Sequence, residues 1–210
     1  MRLFPASRTL IALFAATLAL TACGDKPLSA RLQSLLSSDK VAFQNTDITG
    51  IDYAKDFALT DHHGKTRTLA DFKGKAVVMF FGYTQCPDVC PTTMAEMASV
   101  MQELGPLSDR VQVLFVTIDP ERDTQALLSQ YVPAFDPRFL GMLGDKAATE
   151  KIAKDFRIFY QKVPGKEPGT YTMDHTAGSY VFDPQGRMRL FIRHGQGVAP
   201  IVSDLKLLLQ

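Results

Sequence analysis

The most apolar stretch beyond the N-terminus is "AVVMFFGY", Ala76 to Tyr83, an unbroken run rich in β-branched and aromatic residues. Such a run predicts a central strand buried on both faces. After it, Met94, Met97, Val100, Met101 and Leu104 keep helical spacing, with Pro91 suited to the first turn and Gly105-Pro106 ending the pattern. The alternation then continues. A strand is predicted over Val111 to Ile118, a helix over Asp123 to Tyr131, a short strand over Phe139 to Leu143 and a helix over Lys146 to Phe156. An edge strand near Ile158 to Val163 precedes a Gly/Pro loop, Pro164 to Thr170. Strands Gly178 to Phe182 and Arg187 to Arg193 flank a "DPQG" turn, and a helix over Pro200 to Leu209 closes the chain. Upstream, Phe57 to Thr60 and Thr66 to Leu69 flank a His-Gly turn and read as a hairpin. Strands alternating with helices predict a three-layer α/β domain with an added N-terminal β-hairpin.

The first 22 residues follow another pattern. Arg2 and Arg8 form a basic region, "TLIALFAATLAL" is apolar, and "LTAC" closes the segment, as in a secretory signal. The apolar region is short for a membrane span of about 20 residues, which favours cleavage over a retained anchor. The small residue before Cys23, with Leu20 upstream, resembles a bacterial lipoprotein box and would leave Cys23 as a lipidated N-terminus. The organisation expected is therefore a signal peptide over 1–22, a lipid-anchored tether over 23–50 and one domain over 51–210, exported and held at a membrane in the periplasm or extracytoplasmic space.

Charge and cysteine count then narrow the chemistry. With 23 Lys+Arg against 22 Asp+Glu the chain has no basic field for nucleic acid, and loss of the two signal arginines leaves 21 basic side chains. If Cys23 carries lipid, Cys86 and Cys90 are alone in an oxidising compartment, to pair with each other, bind something or be kept reduced. They sit in "FFGYTQCPDVCPTTM", where a strand runs into a helix, which is where a thioredoxin fold carries its redox site. A helix N-terminus favours a thiolate, so Cys90, directly before Pro91, is expected to be reactive. Three intervening residues permit either a disulfide or an ion held between the sulfurs, and two thiolates with an imidazole would suit copper.

Four histidines are candidates for that third donor. His175, in "YTMDHTAGSYVF", lies at the entry to a strand after the Gly/Pro loop, and Asp174 beside it could fix its tautomer. Taken alone, His175 reads as a hydrogen-bonded strand-end residue. His62 and His63 read as a solvated turn, and His194 as a strand end before a glycine turn. Met94, Met97 and Met101 have the spacing of a helix face turned to the core.

Together "DFALTDHHGK", "FFGYTQCPDVCPTTM", "TIDPERDT", "YVPAFDPRFLGMLG" and "YTMDHTAGSYVFDPQGRM" resemble the Sco/SenC proteins, thioredoxin-like copper-binding factors of cytochrome c oxidase assembly. The resemblance implies copper ligands at Cys86, Cys90 and His175, reversing the reading of His175 alone, and one copper ion per chain as Cu(I) or Cu(II). It implies a metallochaperone serving the binuclear copper site of oxidase subunit II, with a thiol reductant as second partner. Oxidation to a Cys86–Cys90 disulfide would remove two ligands, so copper load and redox state exclude each other. A thiol-disulfide reductase acting on the acceptor's cysteines and a peroxidase-type antioxidant are the alternatives. Within "DPERD", Asp123 reads as a helix N-cap. Gln85 departs from the family pattern, in which many members place a histidine directly before the first cysteine.

Overall fold

A computed structural model describes residues 42–210 of the chain. Among these residues, eight strands form one sheet: β1 (Thr46–Asp47), β2 (Leu59–Asp61), β3 (Thr66–Arg67), β4 (Ala76–Gly82), β5 (Val111–Thr117), β6 (Leu140–Leu143), β9 (Gly178–Phe182) and β10 (Met188–Arg193), with β7 (Tyr160–Pro164) and β8 (Tyr171–His175) forming a separate antiparallel ribbon. The sheet order is β1-β10-β9-β4-β5-β6-β2-β3, with β4, β5 and β6 parallel and the other pairs antiparallel. The helices are α1 (Val89–Leu104), α2 (Gln125–Tyr131), α3 (Lys146–Asp155) and α4 (Val198–Leu208).

Every residue of β4 and β5 is buried, as their unbroken apolar runs require of strands covered on both faces. Successive side chains on a strand point to opposite faces, and β4 shows what covers each one. The Phe81 ring meets Phe156, just after α3, at a centroid distance of 5.4 Å. On the other face Gly82 lies against Cys90 of α1, and α1 packs on α4. The domain is thus a three-layer, thioredoxin-like α/β fold. Met94, Met97 and Met101 are fully buried on the inner face of α1, so the helical methionine pattern is core.

Aspartates lock the two tight turns. Asp61 accepts from the backbone N–H groups of His63 and Lys65, both at 2.9 Å, and from Arg67 Nε at 2.7 Å. Asp183 accepts from the backbone N–H groups of Gln185 and Arg187, both at 3.0 Å, and from Arg187 Nε at 2.8 Å. A carboxylate so placed satisfies turn donors that have no ladder partner.

Four readings of the sequence change. Residues 44–48, assigned to the tether, belong to the domain: Asp204 accepts from the backbone of Gln44 and Asn45, and β1 pairs with β10. The strand near Ile158 to Val163 is not an edge of the main sheet but half of the ribbon, joined to β8 through the Gly/Pro loop. His62 is buried, its Nδ1 accepting from Gly141 N at 2.9 Å, and only His63 is solvated. The N-cap of α2 is Thr124, whose hydroxyl accepts from Leu127 N; Asp123 instead turns inward to Thr84 and Thr117. The signal segment and Cys23 lie outside the described residues.

Candidate metal centre

The end of β4 delivers the chain into the cysteine loop, and α1 begins inside that loop at Val89. Cys90 therefore lies in the first helical turn with its sulfur against Gly82, fully buried. Cys86, half-buried, sits one loop earlier, and its sulfur accepts the Cys90 backbone N–H at 3.4 Å. The helix N-terminus is thus aimed at the Cys86 sulfur rather than at that of Cys90. Burial pushes the Cys90 thiol well above the usual cysteine range, reinforced by Cys86 and Asp123 and opposed by the Tyr83 backbone. Burial thus works against the thiolate that the helix start would favour at Cys90. Both cysteines are free thiols here.

His175 arrives from the ribbon. In β8 the side chains of Tyr171, Met173 and His175 alternate onto the inner face, with Thr172 and Asp174 exposed on the other. This alternation keeps Asp174 off the imidazole. The carbonyl of Thr176, 3.0 Å from Nδ1, is the partner that fixes the ring, so Thr176 takes the tautomer-setting role expected of Asp174. A carbonyl can only accept, so Nδ1 carries the proton and Nε2 presents its lone pair. Burial lowers the pKa of His175, against the Thr176 bond and the Asp174 charge, and so favours the neutral ring. Phe80 and Tyr83 enclose it edge-on, with centroids 6.2 and 6.0 Å away.

His175 Nε2 lies 3.7 Å from Cys90 Sγ, and the donor atoms of Cys86, Cys90 and His175 all lie within 4.8 Å of one another. Metal–sulfur and metal–nitrogen bonds of about 2.3 and 2.0 Å at a trigonal angle separate their donors by about 3.7 Å, so the three residues fit a single soft or borderline ion. Tyr83, Pro87, Val89, Met173 and Ala177 help line a cleft of about 300 Å³ that opens beside Cys86 and His175. Neither His62 nor His63 comes near this centre. No described helix is long and apolar enough to cross a membrane.

A strand-to-helix cysteine pair completed by a distant histidine defines a thioredoxin-like domain with a Cys₂His group suited to one metal ion. The chain belongs to the SCO1/SenC family, whose model matches residues 45–210. It is 40% identical over 153 residues to the mitochondrial SCO2 homologue of Bos taurus, an alignment covering 72% of this chain and 58% of that protein. The chain thus spans little more than half the length of that curated relative. The copper-bound structure of Bradyrhizobium japonicum ScoI is 42% identical, with a TM-score of 0.68, and the match covers 73% of this chain and 98% of that one. Copper-bound yeast Sco1 is 28% identical, with a TM-score of 0.66, over 72% of this chain and 85% of that one.

Proposed function

We propose that this protein is a copper metallochaperone, holding one copper ion between Cys86, Cys90 and His175 and passing it to the binuclear copper site of cytochrome c oxidase subunit II. The observation that carries this reading is the convergence of three donors, within 4.8 Å of one another, from two elements far apart in sequence. Copper-bound relatives support it, as does the membership of Sco proteins in cytochrome c oxidase assembly. The chain's own residues would divide the work. Cys90 and His175 form the enclosed side of the centre, while Cys86, half-buried at the cleft, is where an acceptor thiol can first enter. Transfer then proceeds by stepwise exchange of ligands. Cleavage before Cys23, its lipidation and a tether ahead of the domain would hold this cleft at an extracytoplasmic membrane surface.

The test is copper stoichiometry and the thiolate-to-Cu(II) absorption band in wild type and His175→Ala. The variant should lose about 10-fold or more in Cu(II) affinity and still form the Cys86–Cys90 disulfide. Copper binding as tight as in wild type would refute the ligand set.

A second reading, a thiol-disulfide reductase that keeps the acceptor's cysteines reduced, is favoured by the free Cys86 thiol at the cleft with Cys90 behind it. Deleting the protein and supplying either copper or a thiol reductant separates the two. Oxidase activity restored by reductant alone would favour the reductase.

A further inference from the structure

Arg122 belongs to neither the cysteine loop nor the ribbon, yet it touches both. Its Nη1 donates to Gln85 Oε1 at 3.0 Å, one residue before Cys86, and to the carbonyl of Tyr171 at 2.9 Å, on the strand that carries His175. Its guanidinium lies 3.6 Å over the Tyr171 ring and 5.6 Å from that of Tyr83. Asp119, buried, holds the far side: it pairs with Arg122 Nε and accepts from the Tyr171 hydroxyl at 2.9 Å. Lys162 of β7 adds a pairing with Glu121 and places its ammonium 4.6 Å from the centroid of the same tyrosine ring.

Beyond these contacts the ribbon is held by Met173 in the core and by Tyr160 and Tyr171 packed against it. It shares no ladder with the main sheet, and among its residues only Met173 is fully buried. Tyr171 and His175 lie on one face of β8, so anchoring the first sets the roll of the strand at the second.

We propose that Arg122 is a positioning residue for the metal centre, bridging the cysteine loop to the β7–β8 ribbon and thereby setting where His175 stands relative to the two sulfurs. The inference rests on the copper-binding reading for its consequence, but the bridge itself belongs to the metal-free protein. Gln85, where the family pattern often has histidine, gains a role as the loop-side acceptor.

The test compares the full chain with Arg122→Lys, which keeps the charge and can keep the Asp119 pairing but has a single nitrogen, whereas the arginine pairs with Asp119 through Nε and reaches Gln85 and Tyr171 through Nη1. Three measurements are made: thermal midpoint, hydrogen exchange of the Tyr171–His175 amides without metal, and Cu(II) affinity with imidazole-nitrogen hyperfine coupling. The expected result is a midpoint near wild type, faster exchange confined to the ribbon, about 10-fold weaker Cu(II) binding and altered nitrogen coupling. In a His175→Ala background the lysine substitution should cost no further affinity, since Arg122 acts through the imidazole. Unchanged ribbon exchange, or equal affinity losses in both backgrounds, would overturn the inference. Wild type binding copper without nitrogen coupling would overturn the ligand assignment instead, and ribbon exchange would still decide the bridge. Should Arg122→Lys fail to fold, Gln85→Leu removes only the exposed end of the bridge and should weaken Cu(II) binding about 3-fold.

Discussion

Gly82, the last residue of β4, offers the sharpest link between packing and the metal centre. A Cβ added there would stand 2.8 Å from Cys90 Sγ, 2.8 Å from Phe80 Cε1 and 3.0 Å from Phe115 Cε2. All three neighbours belong to fully buried side chains, so none can swing into solvent. Moving from 2.8 Å to the 3.4 Å at which ordinary contact begins requires the sulfur or the ring to retreat about 0.6 Å. Gly82→Ala is therefore expected to cost about 1–3 kcal/mol, lowering the midpoint by roughly 2–12 °C for a domain of this size. Because one of the displaced atoms is a proposed ligand, copper affinity should fall too, by about 10-fold. Thermal unfolding of the metal-free protein and a competitive copper titration read the two effects separately. Gly144→Ala is the control: its Cβ would meet Ala148 at 2.7 Å and Leu59 at 3.0 Å, so it should destabilise without touching the centre. An unchanged midpoint in Gly82→Ala would show that the core absorbs the methyl. A lowered midpoint with wild-type copper affinity would refute the claim that this glycine makes room for the Cys90 sulfur.

Two other predictions concern the polar framework. Burial works to raise the pKa values of Asp61 and Asp183, but their hydrogen bonds from turn N–H groups and arginines outweigh it and hold both below the ordinary 3.8. A lowered folded-state value means that the stabilisation is complete above the unfolded value and is lost as pH falls through the folded one. Urea midpoints measured between pH 2 and 6 should thus decline steeply on the acid side, and the decline should flatten in Asp61→Asn and Asp183→Asn; an equally steep decline in both variants would count against this account. His62→Leu should cost about 1–3 kcal/mol by orphaning the Gly141 N–H, with copper stoichiometry unchanged, and a loss of copper there would place His62 in the metal chemistry.

Periodicity revealed the elements that bury whole faces and missed those whose partners are remote. β4, β5 and α1 were legible because long apolar patterns have few alternative foldings. β8 was not, since "YTMDH" buries one residue fully and takes its strand form from pairing with β7. β1 is two exposed residues held by β10, and what fixes the chain there is the buried carboxylate of Asp204, 160 residues away from Gln44. His62 looked solvated because local sequence shows a turn, whereas the group that claims its Nδ1 comes from β6.

The centre shows the same division between local and remote causes. Cys86 and Cys90 could be placed from their own neighbourhood, but the burial that pushes the Cys90 thiol upward comes from strands that the local motif does not contain. His175 stood out among the four histidines by its place before a strand and beside Asp174, but its own neighbourhood still favoured a strand-end residue, and the resemblance was what made it a ligand. Asp174 looked like its partner by adjacency, which strand geometry forbids: neighbours in an extended chain face opposite ways, so the group that orients an imidazole on a strand has to come from the backbone or from another element. Here the Thr176 carbonyl orients the ring, and Arg122, from the "DPERD" motif, ties its strand to the cysteine loop. In a centre split between a strand-helix junction and a ribbon outside the main sheet, the ties that hold the ribbon, the proposed Arg122 bridge among them, decide where the third donor stands.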